Sequence, residues 1–361
     1  MFPKRHLVAI VAALVCMMGD GRAAEVPAPL VLERTIALKG VTGRIDHLAA
    51  DLARKRLFVA ELGNGTVDAI DLASGAVIHR IEGLKEPQGL AYAPAADILA
   101  VASAGDGSVR LFHGAELSPA GTIDLANDAD NIRIDTRTGN LVVGYGSGGL
   151  AVIDPTKASV LSRIPLQAHP EGFQLDPETR RAFVNVPDAR QVAVVDMDAG
   201  RQTASWRMPD LRANFPMALD TTHSTIAVVF RNPARLVVFD VITGRPTGTL
   251  MTCGDADDVF FDAKRRRAYV SCGTGNVDAW QLDRSTYRRL SLLKTASGAR
   301  TSLFVPEHLH SDPAAMVHGV HEAFIALGVI TIASSIVFME LRKTDGGAVS
   351  SYGGRKPKVP V

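Results

Sequence analysis

Cysteine, tryptophan and net charge are all scarce in this chain, and each shortage excludes something. Three cysteines among 361 residues leave no Cys-x-x-Cys pair for a structural zinc, a haem attachment or a dithiol redox site. Thirty-nine basic against thirty-eight acidic residues give a net charge of +1, so no global field draws the chain to nucleic acid or to an anionic membrane surface. No nucleic-acid partner is expected. There is no serine nucleophile elbow and no phosphate-cradling Gly-rich loop, because the glycines fall in hairpin turns. The two tryptophans, Trp206 and Trp280, lie in strand patterns and are read as core.

Helical periodicity is also nearly absent, and a repeat of about 42 residues stands in its place. A short strand ends near Asp51, Ala93, Asp135, Asp176, Asp220, Asp262 and Val305. A second strand carries Val59, Val101, Val143, Val184, Val228 and Val270. A third opens at Val67, Val109, Leu150, Val192, Leu236 and Val277, and most copies close on an aspartate: Asp71, Asp154, Asp196, Asp240 and Asp283. Turns such as Gly63-Asn64-Gly65, Gly105-Asp106-Gly107 and Gly273-Thr274-Gly275 separate the second strand from the third. A fourth strand follows, as in 77–81, 122–125 and 204–208. Four antiparallel strands per repeat make the blade of a β-propeller.

The fold expected is therefore all-β, a seven-bladed propeller over residues 30–307 whose last blade is incomplete. The strand 32–38 would serve as the outer strand of the seventh blade and close the ring, leaving no exposed sheet edge. Cys253 and Cys272 fall at the same end of one blade and are predicted to be bonded, as an exported protein permits.

The second strands Leu57-Phe58-Val59-Ala60, Ala182-Phe183-Val184-Asn185 and Ala268-Tyr269-Val270-Ser271 resemble the tetrapeptide that names the YVTN repeat family. Its exported YncE-like members are seven-bladed propellers, and the resemblance spans roughly residues 32–307. It implies a periplasmic or surface binding module more than a catalyst.

Residues 1–24 have a basic start, an apolar run from Leu7 to Met18 and a small-residue exit at Ala23 and Ala24. That is the pattern of a signal peptide, so the protein is expected in the periplasm. After a linker at 308–322, the run from Ala323 to Met339 has no charged residue. As a helix of ~1.5 Å rise per residue it reaches about 25 Å, at the short end for a bilayer core of ~30 Å. Arg342, Lys343, Arg355, Lys356 and Lys358 follow in a basic tail, 340–361, and place it on the cytoplasmic side. This tail resembles the last helix of a major-facilitator transporter. The segment is read as an inner-membrane anchor or as the mark of a fusion that replaced the end of the seventh blade.

In a propeller the first strands ring the central channel, and their starts converge on one mouth. The two positions there are Asp46 and His47, Gln88 and Gly89, Asp130 and Asn131, Glu171 and Gly172, Phe215 and Pro216, Asp257 and Asp258, and Arg300 and Thr301. Polar residues at equivalent places in several repeats suggest a shared site. The ligand-binding candidates are Asp46, His47, Gln88, Asp130, Asn131, Glu171, Asp257, Asp258 and Arg300. On sequence, five acids face Arg300 and a protonated His47. Such a cluster would hold protons, bind a cation, or take a ligand with positive or hydroxyl groups. Oxygen donors of this kind suit a divalent cation, and His47 or His169 would shift the choice toward zinc. The competing reading is that these groups bond loop amides and hold the blades in register. His308, His310, His318 and His321 are read as membrane-boundary residues rather than as metal ligands.

The function expected is an exported, non-enzymatic binding module for a small polar ligand, a cation or a protein at an acidic channel mouth. No catalytic residue and no metal ligand is assigned. The alternatives are a metal-dependent, lactonase-like propeller hydrolase, or a truncated fusion product without activity.

Overall fold

The computed structural model describes residues 29–283 and 286–305. The signal segment, Glu307, the four C-terminal histidines, the linker, the apolar run and the basic tail lie outside these residues. Among those described, no helix is long and apolar enough to cross a membrane.

The chain is all-β. Six four-stranded antiparallel sheets follow one another at 48–81, 87–124, 129–165, 173–206, 212–251 and 256–294, each with its strands in sequence order. The first strands of successive blades lie beside one another, which sets the ring. Within the first blade, Leu48–Asp51 pairs with Arg56–Glu61, Thr66–Asp71 follows, and Val77–Ile81 lies outermost. The two middle strands are buried almost throughout, whereas outer strands such as Val77–Ile81 and Arg201–Trp206 are mostly exposed. Middle strands have neighbours on both edges and a blade against each face, so they need apolar side chains on both.

The recurrent aspartates are turn formers. Asp51, Asp135, Asp176, Asp220 and Asp262 are buried, and each accepts a backbone N–H two or three residues on, at 3.0–3.2 Å, from Arg54, Arg137, Glu178, His223 and Arg265. Asp71, Asp154, Asp196 and Asp240 do the same after the third strand, bonding the N–H groups of Ser74, Thr156, Asp198 and Thr243. These Asx-turns explain the repeated residue without a ligand.

Apolar clusters stitch each blade to the next. Phe58, Val67, Leu99 and Val101 join the first two; Ala100, Leu111, Leu141 and Val143 the second and third; Val142, Leu150, Phe173 and Val184 the third and fourth. Phe183, Ile226 and Phe239 continue into the fifth, with Trp206 lying between Phe183 and Phe239 at 5.3 and 5.6 Å. Val229, Val238, Val259 and Trp280 complete the series. The disulfide Cys253–Cys272 ties the connection into the sixth blade to the end of that blade's second strand, Arg267–Cys272, with its Cα atoms 5.8 Å apart.

The closing strand departs from expectation. Residues 32–38 and 300–305 belong to no strand and no ladder. Outermost and innermost strands of one blade are not neighbours, so among the described residues the two do not pair with each other, and Ser302 gives its N–H to Asp258 at 2.5 Å instead. They still pack. Ile36, Leu38 and Leu303 cover the first blade at Leu48, Val59 and Ile70. Leu30 and Phe304 cover the sixth at Tyr269 and Val277. Among the described residues, hydrophobic contact rather than a hydrogen-bonded ladder bridges the sixth blade to the first.

Candidate functional site at the channel mouth

The starts of the first strands line one cavity of about 360 Å³, and every ligand-binding candidate read from sequence faces it: Asp46, His47, Gln88, Asp130, Asn131, Glu171, Asp257, Asp258 and Arg300. Rotational repetition does this, because equivalent positions in successive blades point to the same axis. Two glycines make the approach possible. A Cβ on Gly89 would lie 2.0 Å from the Asp130 carbonyl oxygen, and one on Gly172 would lie 2.6 Å from that of Phe215. Gly172 also donates its N–H to Phe215 O at 3.1 Å.

Arg300 is not the only strong cation facing the acids. Arg44, Arg133 and Arg231 reach the cavity too, as do Asp128 and His169. Arg44 binds Asp46 at 2.7 Å. Arg231 pairs with Asp257 and reaches Asp255 at 3.6 Å, its guanidinium 4.0 Å from the Phe215 ring centroid. Arg300 holds Asp257 at 2.8 Å and Asp255 at 3.2 Å. The mouth is of mixed charge rather than simply acidic. Two of the missed residues had signals. Arg133 stands two residues beyond Asn131 on the same strand, hence on the same face. Arg231 lies at the end of the strand that pairs antiparallel with the start of the fifth blade's first strand, where Arg212 meets Asn232.

On the opposite wall, from the third and fourth blades, His169 Nδ1 pairs with Asp128 Oδ2 at 3.3 Å, and no arginine pairs with Asp130. Asp130 is only 7% exposed, and its Oδ1 has no hydrogen-bond partner. His47 Nε2 stands 4.0 Å from Oδ1 and 3.8 Å from Asp46 Oδ1, while His169 Nε2 stands 4.0 Å from Asp130 Oδ2. These separations exceed hydrogen-bond length. His169 donates Nδ1–H to Gly146 O at 2.6 Å. Asn131, 4% exposed, also leaves Oδ1 without a donor. Arg133 is turned to the Phe173 ring and to its neighbour's carbonyl, Ile132 O, at 2.8 Å.

Protonation follows from burial and crowding. Burial, with the nearby Asp130 charge, pushes Glu171 up to about 8, and burial pushes Asp258 up to about 7 although Ser302 N–H bonds it at 2.5 Å. Burial likewise raises Asp46 despite Arg44. Burial would also raise Asp257, but Arg300, Arg231 and Arg44 together hold it well below the usual carboxylate range. Burial opposes charge on His169, yet Asp130 and Asp128 prevail and raise it to about 9. His47 is raised in the same way: burial opposes its charge, and Asp46, Asp258 and Asp130 outweigh it.

Among the described residues no three His, Cys, Asp or Glu side chains are grouped so as to hold a metal ion. On the first and sixth blades the reason is visible, since the guanidinium groups occupy the carboxylates that would otherwise converge.

No protein-family model matches the chain, and no curated protein matches it. Among solved structures it is similar to Kuenenia stuttgartiensis Hydrazine Synthase, with a TM-score of 0.66 over 75% of this chain and 93% of that one. At 15% identity the likeness is one of fold, a β-propeller.

Proposed function

We propose that this protein is an exported β-propeller binding module, designed on seven blade positions, that takes a small polar ligand in the cavity at the channel mouth. One observation carries the reading: Asp130 Oδ1 is buried against the cavity without a hydrogen-bond partner. A buried acceptor left unpaired costs about 1–3 kcal/mol, and scaffold residues rarely keep one; a ligand that supplies the donor removes the cost. The pairing of Asp46 and Asp257 with arginines supports recognition of a molecule with more than one polar group over capture of a bare ion. The hydrolase alternative would need a metal held by these acids, and metal content after gentle purification discriminates it.

Native mass spectrometry of the full chain, purified without dialysis, tests the site. A small-molecule adduct is expected, and it should be lost when Asp130 and Asp257 are both reversed to Lys while β content and the disulfide persist. An adduct that survives the double reversal places binding elsewhere.

We further propose export by residues 1–24 and anchoring by 323–339. Fractionation of cells carrying the full chain, against a chain ending at Glu307, should show the first in the membrane and the second released and folded. If the shortened chain is degraded, residues beyond Glu307 complete the ring instead.

A further inference from the structure

Resting on the reading of the cavity as a ligand site, we propose that the ligand is a small organic cation whose protonated amine sits against Asp130, Asn131 and Glu171. The cavity is divided by pairing. Arg44, Arg231 and Arg300 lie on one side, and each is spent on Asp46, Asp255 or Asp257. The wall built by the third and fourth blades carries one ion pair, His169 Nδ1 with Asp128 Oδ2 at 3.3 Å, and it leaves Asp130 out. Asp130 there faces two imidazoles, both 4.0 Å away and too distant to donate.

The unpartnered buried atoms on this wall, Asp130 Oδ1 and Asn131 Oδ1, are both acceptors. They come from adjacent residues on one strand, and only the first is charged. What they lack is hydrogen-bond donors. An ammonium group offers three donors and no acceptor, and it needs no multidentate cage. A divalent metal does need one, and no such group of donors exists among the described residues. An uncharged polyol would add acceptors to a wall already rich in them. The volume of about 360 Å³ suits a small molecule, near the lower end of ligand pockets at ~300–1,000 Å³.

The test is a thermal-shift titration of the full chain in detergent with 1,4-diaminobutane and ethanolamine. The uncharged isostere 1,4-butanediol, a set of neutral sugars, and calcium and magnesium chloride are run beside them. The amines should raise the melting temperature in a saturable way and butanediol should not. Asp130→Asn should raise the half-saturating amine concentration about tenfold or more. Asn131→Leu, which removes the other unpartnered acceptor, carries the same readout if Asp130→Asn does not fold. If butanediol, the sugars or the metal salts act as well as the amines and lose their effect in Asp130→Asn, the cavity is the site and the amine class is wrong. If amine shifts persist in both variants, the cavity reading fails with it. If no amine shifts the midpoint, the amine assignment is overturned.

Discussion

Replacing Gly89 by alanine probes the close approach of blades on which the cavity depends. The added Cβ would lie 2.0 Å from the Asp130 carbonyl oxygen, 2.9 Å from its carbonyl carbon and 3.1 Å from Ile132 Cγ1. A carbon needs about 3.5 Å from non-bonded heavy atoms, so the overlap exceeds about 1 Å. The obstructing atoms are backbone, and no rotamer change removes them. The inner strands of the second and third blades must separate, moving Asp130 with them. Overpacking costs about 1–3 kcal/mol and occasionally more; with backbone on one side and a strand on the other, about 3 kcal/mol is expected. At roughly 2.1 cal/mol/K per residue of unfolding entropy, that lowers the melting temperature by about 5 °C. Gly200→Ala is the control, because nothing lies within 4 Å of its Cβ position and only its φ of +63° opposes alanine, at about 1 kcal/mol. Urea unfolding of both variants decides. If Gly89→Ala loses no more stability than Gly200→Ala, the two strands do not approach as described and the placement of Asp130 falls with them.

Two further outcomes follow from the same structure. Removing the disulfide by Cys253→Ser with Cys272→Ser frees a loop of sequence separation 19 and should cost about 3 kcal/mol in the chain-entropy model; equal unfolding midpoints with and without the bond would refute this. Stability should also fall as pH rises from about 5 to 9. Glu171 at about 8, Asp258 at about 7 and His169 at about 9 all keep protons that the unfolded chain releases near its ordinary values. Folding therefore takes up protons across this window, and its free energy becomes less favourable as pH increases. A melting temperature that rises between pH 5 and 9 contradicts the protonation scheme. Glu171→Gln should flatten the decline.

Much of the architecture was legible because it is local and repeated. The spacing of Val59, Val101, Val143 and their equivalents marks the buried second strands. Each Asx-turn depends only on an aspartate and the N–H groups just after it. Cys253 and Cys272 meet because a hairpin brings them together. The convergence of Asp46, Gln88, Asp130, Glu171 and Asp257 on one cavity also followed from sequence, since equal positions in successive blades are related by rotation about the channel.

Pairing across the ring was decided only by the tertiary structure. The alternation in 32–38 specifies a face to bury, and Ile36 and Leu38 are buried. It does not supply the neighbouring strand that a ladder requires. Charge is similar. Asp257 reads as one more acid in the chain, yet in the folded molecule it lies between Arg231 and Arg300, whereas Asp130 keeps an oxygen unpaired. Coulomb energy and hydrogen bonding depend on separations of a few ångströms between residues far apart in sequence. Sequence determined that Asp46, Gln88, Asp130, Glu171 and Asp257 reach the channel mouth; the folded ring brought the arginines to some of them and left Asp130 Oδ1 without a partner.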